Sequence, residues 1–466
     1  MKTYFENIIL VFVMLTLILV FAYQYLIEGR IIFDGSQDSR SILLNISKND
    51  FDKTNSSHTK IGKFLNLPES PLIQNYVNQL LAKASVPKFN KKFDKNSYNI
   101  IFLKTHKTGS STIQNILFNF VFNRQNLKSL FPLPKGPLQI SDTQIKSKLD
   151  FSTNLVYPIK THLFYGYPNP FTQEVVDFDL PPGNIIAHHT KYSTDLHNFF
   201  QNQDYHGVKN SSPSNNTFRF TILRNPRTLL KSAYFYYSNS REARSSNYNF
   251  TVFINNPEQF HNKNAGGYLR NSQKSDLGLI NMDVKEAIKF LEKSFDLIMI
   301  LEKFDESLIL LKDHLSDWQM KDLIYLVKNS RAKEESSEKI FSSTSFFFDE
   351  NQKIDQWAED DTIIYHYFSK ILDQKIENYG PKKMQTQVEQ LRRLSKSVVD
   401  KCFTEDRTDS WAKKKTLYWF PPNGKISIPW VKDEQINNTL CRNLGRSERK
   451  YHYTMHKIAK AYYEAN

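Results

Sequence analysis

The pattern of apolar and polar positions divides the middle of the chain into short strands and longer helices. Four apolar runs of four to seven residues are typical of buried strands, and they cover residues 99–103, 184–187, 218–223 and 295–301. Strands that alternate with helices predict an α/β fold, in which helices cover both faces of a parallel sheet. In such a sheet, ligands bind at the carboxyl ends of the strands.

Helical spacing follows three of the four predicted strands. After the first strand, apolar residues recur every three or four positions, at Ile113, Ile116, Leu117, Phe120 and Val121. Helices are also predicted from Thr228, over about 305–315, and in the charged segment 335–395. The elements therefore repeat in the order strand, polar turn, helix.

One longer apolar run, residues 8–27, precedes these elements. Twenty helical residues span about 30 Å, the thickness of the hydrocarbon core of a bilayer, so the run predicts a transmembrane helix. A cleaved signal peptide is the alternative, but its apolar region is usually about 7–15 residues long and ends at a small-residue cleavage site. The run closes instead with Gln-Tyr-Leu-Ile at residues 24–27.

Six Asn-x-Ser/Thr sequons follow the predicted membrane span. They begin at Asn45, Asn55, Asn210, Asn215, Asn249 and Asn437. Each is a glycosylation acceptor only if it lies in the secretory lumen or outside the cell. Together they favour a type II orientation with a short cytosolic tail, one span and a large lumenal portion, which is the layout of Golgi-resident transferases.

The chain is basic. Its 62 Lys and Arg residues against 48 Asp and Glu residues give a formal charge of +14 over 466 residues. This balance favours an anionic partner, and the class of partner stays open among a nucleotide, a phosphate or sulfate group, nucleic acid and a membrane surface.

Cys402 and Cys441 are the two cysteines of the chain. In an oxidising lumen they could pair, which would close a loop and stabilise the fold by about 4 kcal/mol. Two buried free thiols are the alternative. The spacing fits no zinc-binding pattern.

The turn after the first strand, residues 104–112, has the composition of an anion-binding loop. It reads Lys-Thr-His-Lys-Thr-Gly-Ser-Ser-Thr, and its small residues at a helix N-terminus let backbone N–H groups point at an anion. Lys107 adds a positive charge, and hydroxyl donors are available from Thr108, Ser110, Ser111 and Thr112. The loop is not a Walker A motif, in which the lysine follows a glycine, because Lys107 precedes Gly109, the single glycine of the loop. An ordinary capped helix start is the alternative.

A second candidate anion site follows the third strand. Arg224 lies where that strand ends, and a guanidinium there can bind a phosphate through two N–H groups. Ser232 lies eight residues further on, about two helical turns away, and could donate to the same group. A structural ion pair of Arg224 is an equal alternative.

Residues 102–118 resemble the 5′-phosphosulfate loop of the galactose-3-O-sulfotransferase family, which includes the cerebroside sulfotransferases. Residues 221–232 are similar to the 3′-phosphate-binding segment of that family. Weaker matches follow in the family's order, at residues 184–189, 268–271, 276–278 and 304–308. The resemblance covers residues from about 95 to 395, and it implies a P-loop-like sulfotransferase fold.

The resemblance also implies a reaction and a set of partners. The expected sulfuryl donor is 3′-phosphoadenosine 5′-phosphosulfate, and the expected acceptor is the 3-hydroxyl of a terminal galactose on a glycolipid or glycan. Lys104, Lys107 and the loop to Thr112 would bind the phosphosulfate, and Arg224 and Ser232 the 3′-phosphate. No metal and no nucleic acid are expected. The membrane partner would be the Golgi membrane, and a homodimer is possible.

These expectations give a domain plan for the whole chain. The plan assigns residues 1–7 to a cytosolic tail, 8–27 to the transmembrane signal anchor, 28–95 to a lumenal stem, 96–395 to the catalytic domain and 396–466 to a C-terminal extension packed on that domain.

A sugar hydroxyl is a weak nucleophile, so sulfuryl transfer calls for a general base within hydrogen-bond reach. His106 lies beside Lys107 and is the first candidate. His189, at the end of the second predicted strand, is the next candidate, and His162 is the third. Arg270 could contact the sulfuryl donor or the acceptor, or it could pair with a carboxylate.

Two other classes of protein stay open. Asp177 and Asp179 form an Asp-x-Asp sequence, which in metal-dependent Golgi glycosyltransferases holds a divalent cation on a nucleotide sugar. A non-catalytic glycan-binding protein with the same fold is the other alternative. Metal dependence would identify the first class, and failure to bind adenosine 3′,5′-bisphosphate would favour the second.

Overall fold

A computed structural model of the chain describes fifteen segments, all of them beyond residue 69. They are residues 70–82, 84, 99–124, 170–172, 185–199, 217–237, 240–261, 268–315, 317–327, 330–331, 344–404, 417–418, 426–427, 429–448 and 450–451. The chain divides into two compact units, residues 1–68 and 69–466, and the described residues belong to the second. Within these segments no helix is both long and apolar enough to cross a membrane. The predicted tail, the transmembrane helix 8–27 and most of the predicted stem lie outside them.

A four-stranded parallel sheet forms the centre of the second unit. Its strands are β1 (Asn99–Leu103), β2 (Ile185–Ile186), β3 (Thr217–Leu223) and β4 (Leu297–Ile300). Every residue of β1, β2 and β4 is buried, as expected for strands covered on both faces. The α/β class and all four predicted strands are confirmed. β4 is shorter than predicted, because Leu301 already begins a 3₁₀ turn.

The strand order in this sheet is β2-β1-β3-β4. β1 is therefore flanked by the next two strands along the chain, with Ile101 opposite Ile186 on one side and Arg219 on the other. The chain thus passes from β1 to one side of the sheet and then to the other, and a change of direction of this kind opens a crevice at the carboxyl ends of the strands. The loops that leave β1, β2 and β3 meet at this crevice.

Helices surround the sheet. They are α1 (Pro71–Leu81), α2 (Ser110–Arg124), α3 (Thr194–Asn198), α4 (Pro226–Tyr236), α5 (Arg241–Ser245), α6 (Phe250–Asn255), α7 (Pro257–Phe260), α8 (Ser272–Asp276), α9 (Val284–Ser294), α10 (Phe304–His314), α11 (Thr344–Trp357), α12 (Glu359–Tyr379), α13 (Pro381–Cys402) and α14 (Thr439–Gly445). Short 3₁₀ turns cover Leu301–Lys303, Met320–Leu323 and Asp433–Gln435. The five apolar residues that predicted α2 are all fully buried in the main core.

Helix α1 lies within the segment that the sequence assigns to the stem. Its Pro71 occupies the first turn, where a proline is tolerated because the N–H group it lacks has no partner in the helix. Ile73 and Val77 are buried in the main core, and α1 packs against α12. The globular unit therefore begins before residue 96, the predicted boundary.

The described C-terminal segments pack against the rest of the second unit. The predicted boundary between residues 395 and 396 falls inside one continuous helix, α13. Residues of this part of the chain form two small antiparallel sheets. In one, β5 (Ser330–Arg331) pairs with β7 (Ile426–Ser427); in the other, β6 (Phe403–Thr404) pairs with β8 (Trp430–Val431). A disulfide joins Cys402 to Cys441, with their Cα atoms 5.2 Å apart. It connects the end of α13 to α14.

Candidate active site

The loop between β1 and α2 is a tight turn held by its own hydroxyl groups. Lys107 and Gly109 have left-handed backbone angles, with φ of 60° and 78°. The Thr105 hydroxyl donates to the carbonyl oxygen of Ile222 on β3 at 2.8 Å, and the Thr108 hydroxyl lies 2.7 Å from Thr105 Oγ1. Ser110 Oγ donates to the Thr105 carbonyl. The Thr108 and Ser110 hydroxyls therefore shape the loop, a role that the sequence did not assign to them.

Two cations are held close together at this loop. The Lys107 ammonium lies over the ring of Tyr236, 3.8 Å from its centroid. The Arg224 guanidinium donates from Nη1 to the Lys107 carbonyl at 2.8 Å and from Nε to Thr228 Oγ1 at 2.9 Å. Arg224 thus follows β3, as predicted, and contacts the loop that follows β1.

The electrostatics of the two cations favour an anionic ligand. Burial and, to a smaller extent, the neighbouring charge of Arg224 lower the pKa of Lys107 to about 8. Burial also lowers the pKa of Arg224, which the carboxylate of Glu302 opposes. The first turn of α2 contains no acidic residue, so its positive dipole end adds to these charges. An anion at the loop would relieve the cost of holding like charges together.

Lys104, the first residue of the loop, pairs with a residue from the C-terminal part of the chain. Its side chain is buried and forms an ion pair with Glu448, a residue beyond α14. Burial lowers the pKa of Lys104, and Glu448 opposes that shift. The carbonyl oxygen of Lys104 lies 3.2 Å from His189 Nδ1. Sequence reasoning missed Glu448, because it lies 344 positions from Lys104.

His106 is held by a buried carboxylate. Asp276 accepts from the His106 backbone N–H at 2.6 Å, and its two oxygens lie 2.9 and 3.0 Å from His106 Nδ1. Because a carboxylate only accepts, Nδ1 carries the hydrogen, and Nε2 is the ring nitrogen with a free lone pair. The ring of Tyr268 contacts the His106 ring edge-on, with centroids 5.0 Å apart.

His189 stacks on the His106 ring, with centroids 4.1 Å apart and an interplanar angle of 14°. Its Nδ1 faces the Lys104 carbonyl and therefore donates to it. Burial holds the pKa of His189 well below its usual value, and the positive charge of Lys104 adds to this effect. The sheet therefore brings the first two candidate bases together, whereas His162 lies outside the described residues. His188 is buried near the Phe118 ring instead.

The short helix α8 fixes both halves of the site. The Gln273 side chain accepts from the Arg224 backbone N–H at 2.7 Å and donates to the Arg224 carbonyl at 3.0 Å. One turn later Asp276 holds His106. Asp361 caps α8 by accepting from the N–H groups of Gln273 and Lys274 at 2.9 and 2.8 Å. Burial raises the pKa of Asp361 to about 7, although these two N–H groups oppose the shift.

The remaining predicted residues have distinct positions. Arg270 is exposed, pairs with Glu258 at 3.1 Å, and lies 4.6 Å from the Trp357 ring centroid, which favours its carboxylate-pairing alternative. Ser232 lies on α4 and is half-buried. Asp177 and Asp179 lie outside the described residues. Within the part of the chain that is described, no group of three His, Cys, Asp or Glu side chains could hold a metal ion.

The fold and the site together define an α/β protein with a basic, anion-binding loop at the switch point of a parallel sheet. Residues 73–457 match the galactose-3-O-sulfotransferase family, and the chain belongs to that family. The resemblance carried by residues 102–118 and 221–232 is thereby confirmed.

Several characterised proteins are similar to this chain. Galactosylceramide sulfotransferase of Homo sapiens is 30% identical over 318 residues, which cover 65% of this chain and 64% of that protein. Galactose-3-O-sulfotransferase 2 of Sus scrofa is 28% identical over 319 residues, or 65% and 68% of the two chains. Galactosylceramide sulfotransferase of Bos taurus is 28% identical over 373 residues, or 76% and 77%. The matched region thus spans about two thirds of the human and porcine proteins.

Proposed function

We propose that the protein is a galactose 3-O-sulfotransferase. It would move a sulfuryl group from 3′-phosphoadenosine 5′-phosphosulfate to the 3-hydroxyl of a terminal galactose on a glycolipid or glycan. Membership of the family supports this function, as do the names of the similar human and porcine proteins. The observation that carries the proposal is the His106–Asp276 pair beside the cationic loop of Lys107.

The loop suits the phosphosulfate end of the sulfuryl donor. Lys107 and Arg224 place two positive charges at one loop, and the N-terminus of α2 points backbone N–H groups in the same direction. Sulfuryl transfer is an in-line displacement similar to phosphoryl transfer. Lys107 would stabilise the charge that develops on the phosphate oxygen as the sulfuryl group leaves.

The second phosphate of the sulfuryl donor is assigned to α4 and the end of β3. Arg224 retains N–H groups beyond the two that bind Lys107 and Thr228. Ser232 lies two turns along the helix that follows. These two residues would bind the 3′-phosphate, which lies away from the reacting sulfur.

His106 is the proposed general base. Its Nε2 would take the proton from the acceptor hydroxyl, and Asp276 would stabilise the imidazolium that forms. Asp276 also holds the backbone of His106, which fixes the direction of the ring. His189 is neutral because of its lowered pKa. It would orient His106 by ring stacking, and it is the second candidate for the base.

We also propose a Golgi location with the catalytic domain in the lumen. The apolar run 8–27 and the six sequons support this orientation. The disulfide between Cys402 and Cys441 adds support, because such bonds persist in oxidising compartments. Two sequon residues fall within the described residues, Asn249 and Asn437, and both are exposed.

The direct test is transfer from labelled 3′-phosphoadenosine 5′-phosphosulfate. The purified full-length protein is offered galactosylceramide and a galactose-terminated N-glycan in parallel, and the site of sulfation is determined by mass spectrometry and NMR. We expect sulfate on the 3-hydroxyl of galactose. The matched control is Lys107→Ala, which should lower turnover by about 10²–10³. Correctly folded wild-type protein that transfers no sulfate to either acceptor would refute the proposal.

A chelator separates this activity from that of the alternative enzyme class. A metal-dependent glycosyltransferase would lose activity in EDTA and would transfer a sugar from a nucleotide sugar. We expect sulfuryl transfer to persist in EDTA, because Lys107 supplies positive charge at the reacting phosphate.

A further inference from the structure

We propose that Glu448 is a positioning residue that acts, through Lys104, on the anion-binding loop. The inference rests on the proposed function and adds a residue from the C-terminal segment to the site. Glu448 forms an ion pair with Lys104, and the two side chains are 22% and 1% exposed. Lys104 is the first residue after β1, so this contact reaches the base of the anion-binding loop.

The segment that carries Glu448 is anchored to the core on both sides of that residue. Asn115 of α2 donates from Nδ2 to the carbonyl oxygens of Asn443 and Arg446 at 3.1 and 3.3 Å. Beyond Glu448, the Tyr451 hydroxyl donates to the Asn443 carbonyl at 2.6 Å. These bonds fix the backbone around Glu448, so its carboxylate is presented to Lys104 by a rigid frame.

The Cys402–Cys441 disulfide extends this frame. It ties α14 to the end of α13, and α14 packs against α2, the helix that begins at the anion-binding loop. The C-terminal segment is therefore tied both to α2 and, through Glu448, to Lys104 at the start of the loop.

A buried lysine without a partner carries a large cost, because the charged form is taken out of water. Burial already lowers the pKa of Lys104, and Glu448 is the group that opposes this shift. Removal of the carboxylate should therefore lower the pKa of Lys104 further and favour its neutral form. The substitution would then remove both charges of the pair and the contact that holds Lys104, while Lys107 and Arg224 stay in place.

Other charged groups face this pair from the neighbouring elements. His189 lies against the Lys104 carbonyl, and its pKa is lowered by burial and by the charge of Lys104. Tyr236 of α4 also senses Glu448, whose charge adds to burial in raising the pKa of its hydroxyl. The charge of Glu448 therefore acts on Lys104 and also on Tyr236, whose ring lies under the Lys107 ammonium.

The test compares Glu448→Gln with wild-type full-length protein. Its matched control is Glu434→Gln, which changes an exposed glutamate in the same part of the chain. Affinity for adenosine 3′,5′-bisphosphate is measured by calorimetry between about pH 6 and 7.5, where an unperturbed lysine stays charged. We expect Glu448→Gln to bind about tenfold more weakly at pH 7.5. The difference should shrink as the pH is lowered, because acid favours the charged form of Lys104.

Two further variants separate positioning from a purely structural role. Glu448→Asp keeps the charge and should restore most of the affinity; it also carries the test if Glu448→Gln does not fold. In a Lys104→Met background, Glu448→Gln should have no further effect on affinity, because the group through which it acts is gone.

Three results would overturn the inference. The first is that Glu448→Gln binds adenosine 3′,5′-bisphosphate with the same affinity and pH dependence as the wild type. The second is that Glu448→Gln weakens binding just as much in the Lys104→Met protein. The third is that Glu448→Asp does not recover the affinity. Failure of the wild-type protein itself to bind the nucleotide is a distinct result. It would refute the proposed function, and this inference with it.

Discussion

Lys107 should make nucleotide binding depend on pH above neutrality. Burial and the nearby Arg224 lower its pKa to about 8, so the free protein loses this charge well below the usual range for lysine. About 90% of Lys107 is then charged at pH 7 and about 10% at pH 9. If only the charged form binds the nucleotide phosphates, the affinity should fall about tenfold over these two pH units.

The direction follows from the charge of the ligand. A bound phosphate favours the charged form of Lys107, so its pKa rises in the complex. Binding at pH 9 should therefore take up about one proton. Titration calorimetry with adenosine 3′,5′-bisphosphate, repeated in two buffers of different ionisation enthalpy, measures both the affinity and the proton uptake.

The variant Lys107→Arg isolates the cause, because a guanidinium stays charged over this range. It should bind the nucleotide with little change between pH 7 and pH 9 and with no proton uptake. A wild-type protein whose affinity is flat over these pH values would refute the reasoning. So would a fall in affinity that persists unchanged in Lys107→Arg, since another group, such as Lys104, would then be responsible.

Three other predictions follow from the site and its frame. Asp276→Asn should lower the single-turnover rate by about 10²–10⁴, because an amide no longer supports His106 as a base, and should leave the nucleotide affinity unchanged. Near-normal turnover would leave Asp276 a structural role only. Arg224→Ala should raise the KM for the sulfuryl donor more than it lowers kcat, and a normal KM in steady-state assays would remove Arg224 from the 3′-phosphate site. Replacing both Cys402 and Cys441 by serine should lower the free energy of unfolding by about 2–5 kcal/mol, and an unshifted denaturant midpoint would contradict this.

Local pattern was sufficient for the sheet. β1 was predicted residue by residue, because an unbroken apolar run between polar segments is what a strand buried on both faces requires. β4 was predicted too long at both ends. At its start, the Arg219 N–H of β3 donates to the side chain of Asp296 at 2.8 Å, and at its end Leu301 begins a 3₁₀ turn. Apolar character alone does not mark where a strand stops pairing.

The sequence predicted those residues of the site that are neighbours along the chain, but not the distant residues that orient them. The loop from Lys104 to Thr112 carries its own chemistry, whereas the groups that orient it come from elsewhere in the fold. Asp276 lies 170 positions from His106, and Glu448 lies 344 positions from Lys104. A carboxylate at such a separation has no periodicity that connects it to its partner, so only tertiary structure identifies it.

One buried carboxylate, that of Asp361, holds the helix that positions both Arg224 and the proposed base. Asp361 holds the N-terminus of α8, and from that helix Gln273 binds the backbone of Arg224 while Asp276 binds His106. The cation at the end of β3 and the proposed base after β1 are therefore positioned by the same helical turn. In-line transfer requires the acceptor hydroxyl and the leaving oxygen to stand at a fixed separation, and small misplacements are costly. Helix α8 therefore links the position of the proposed base to that of Arg224, the proposed contact of the remote 3′-phosphate.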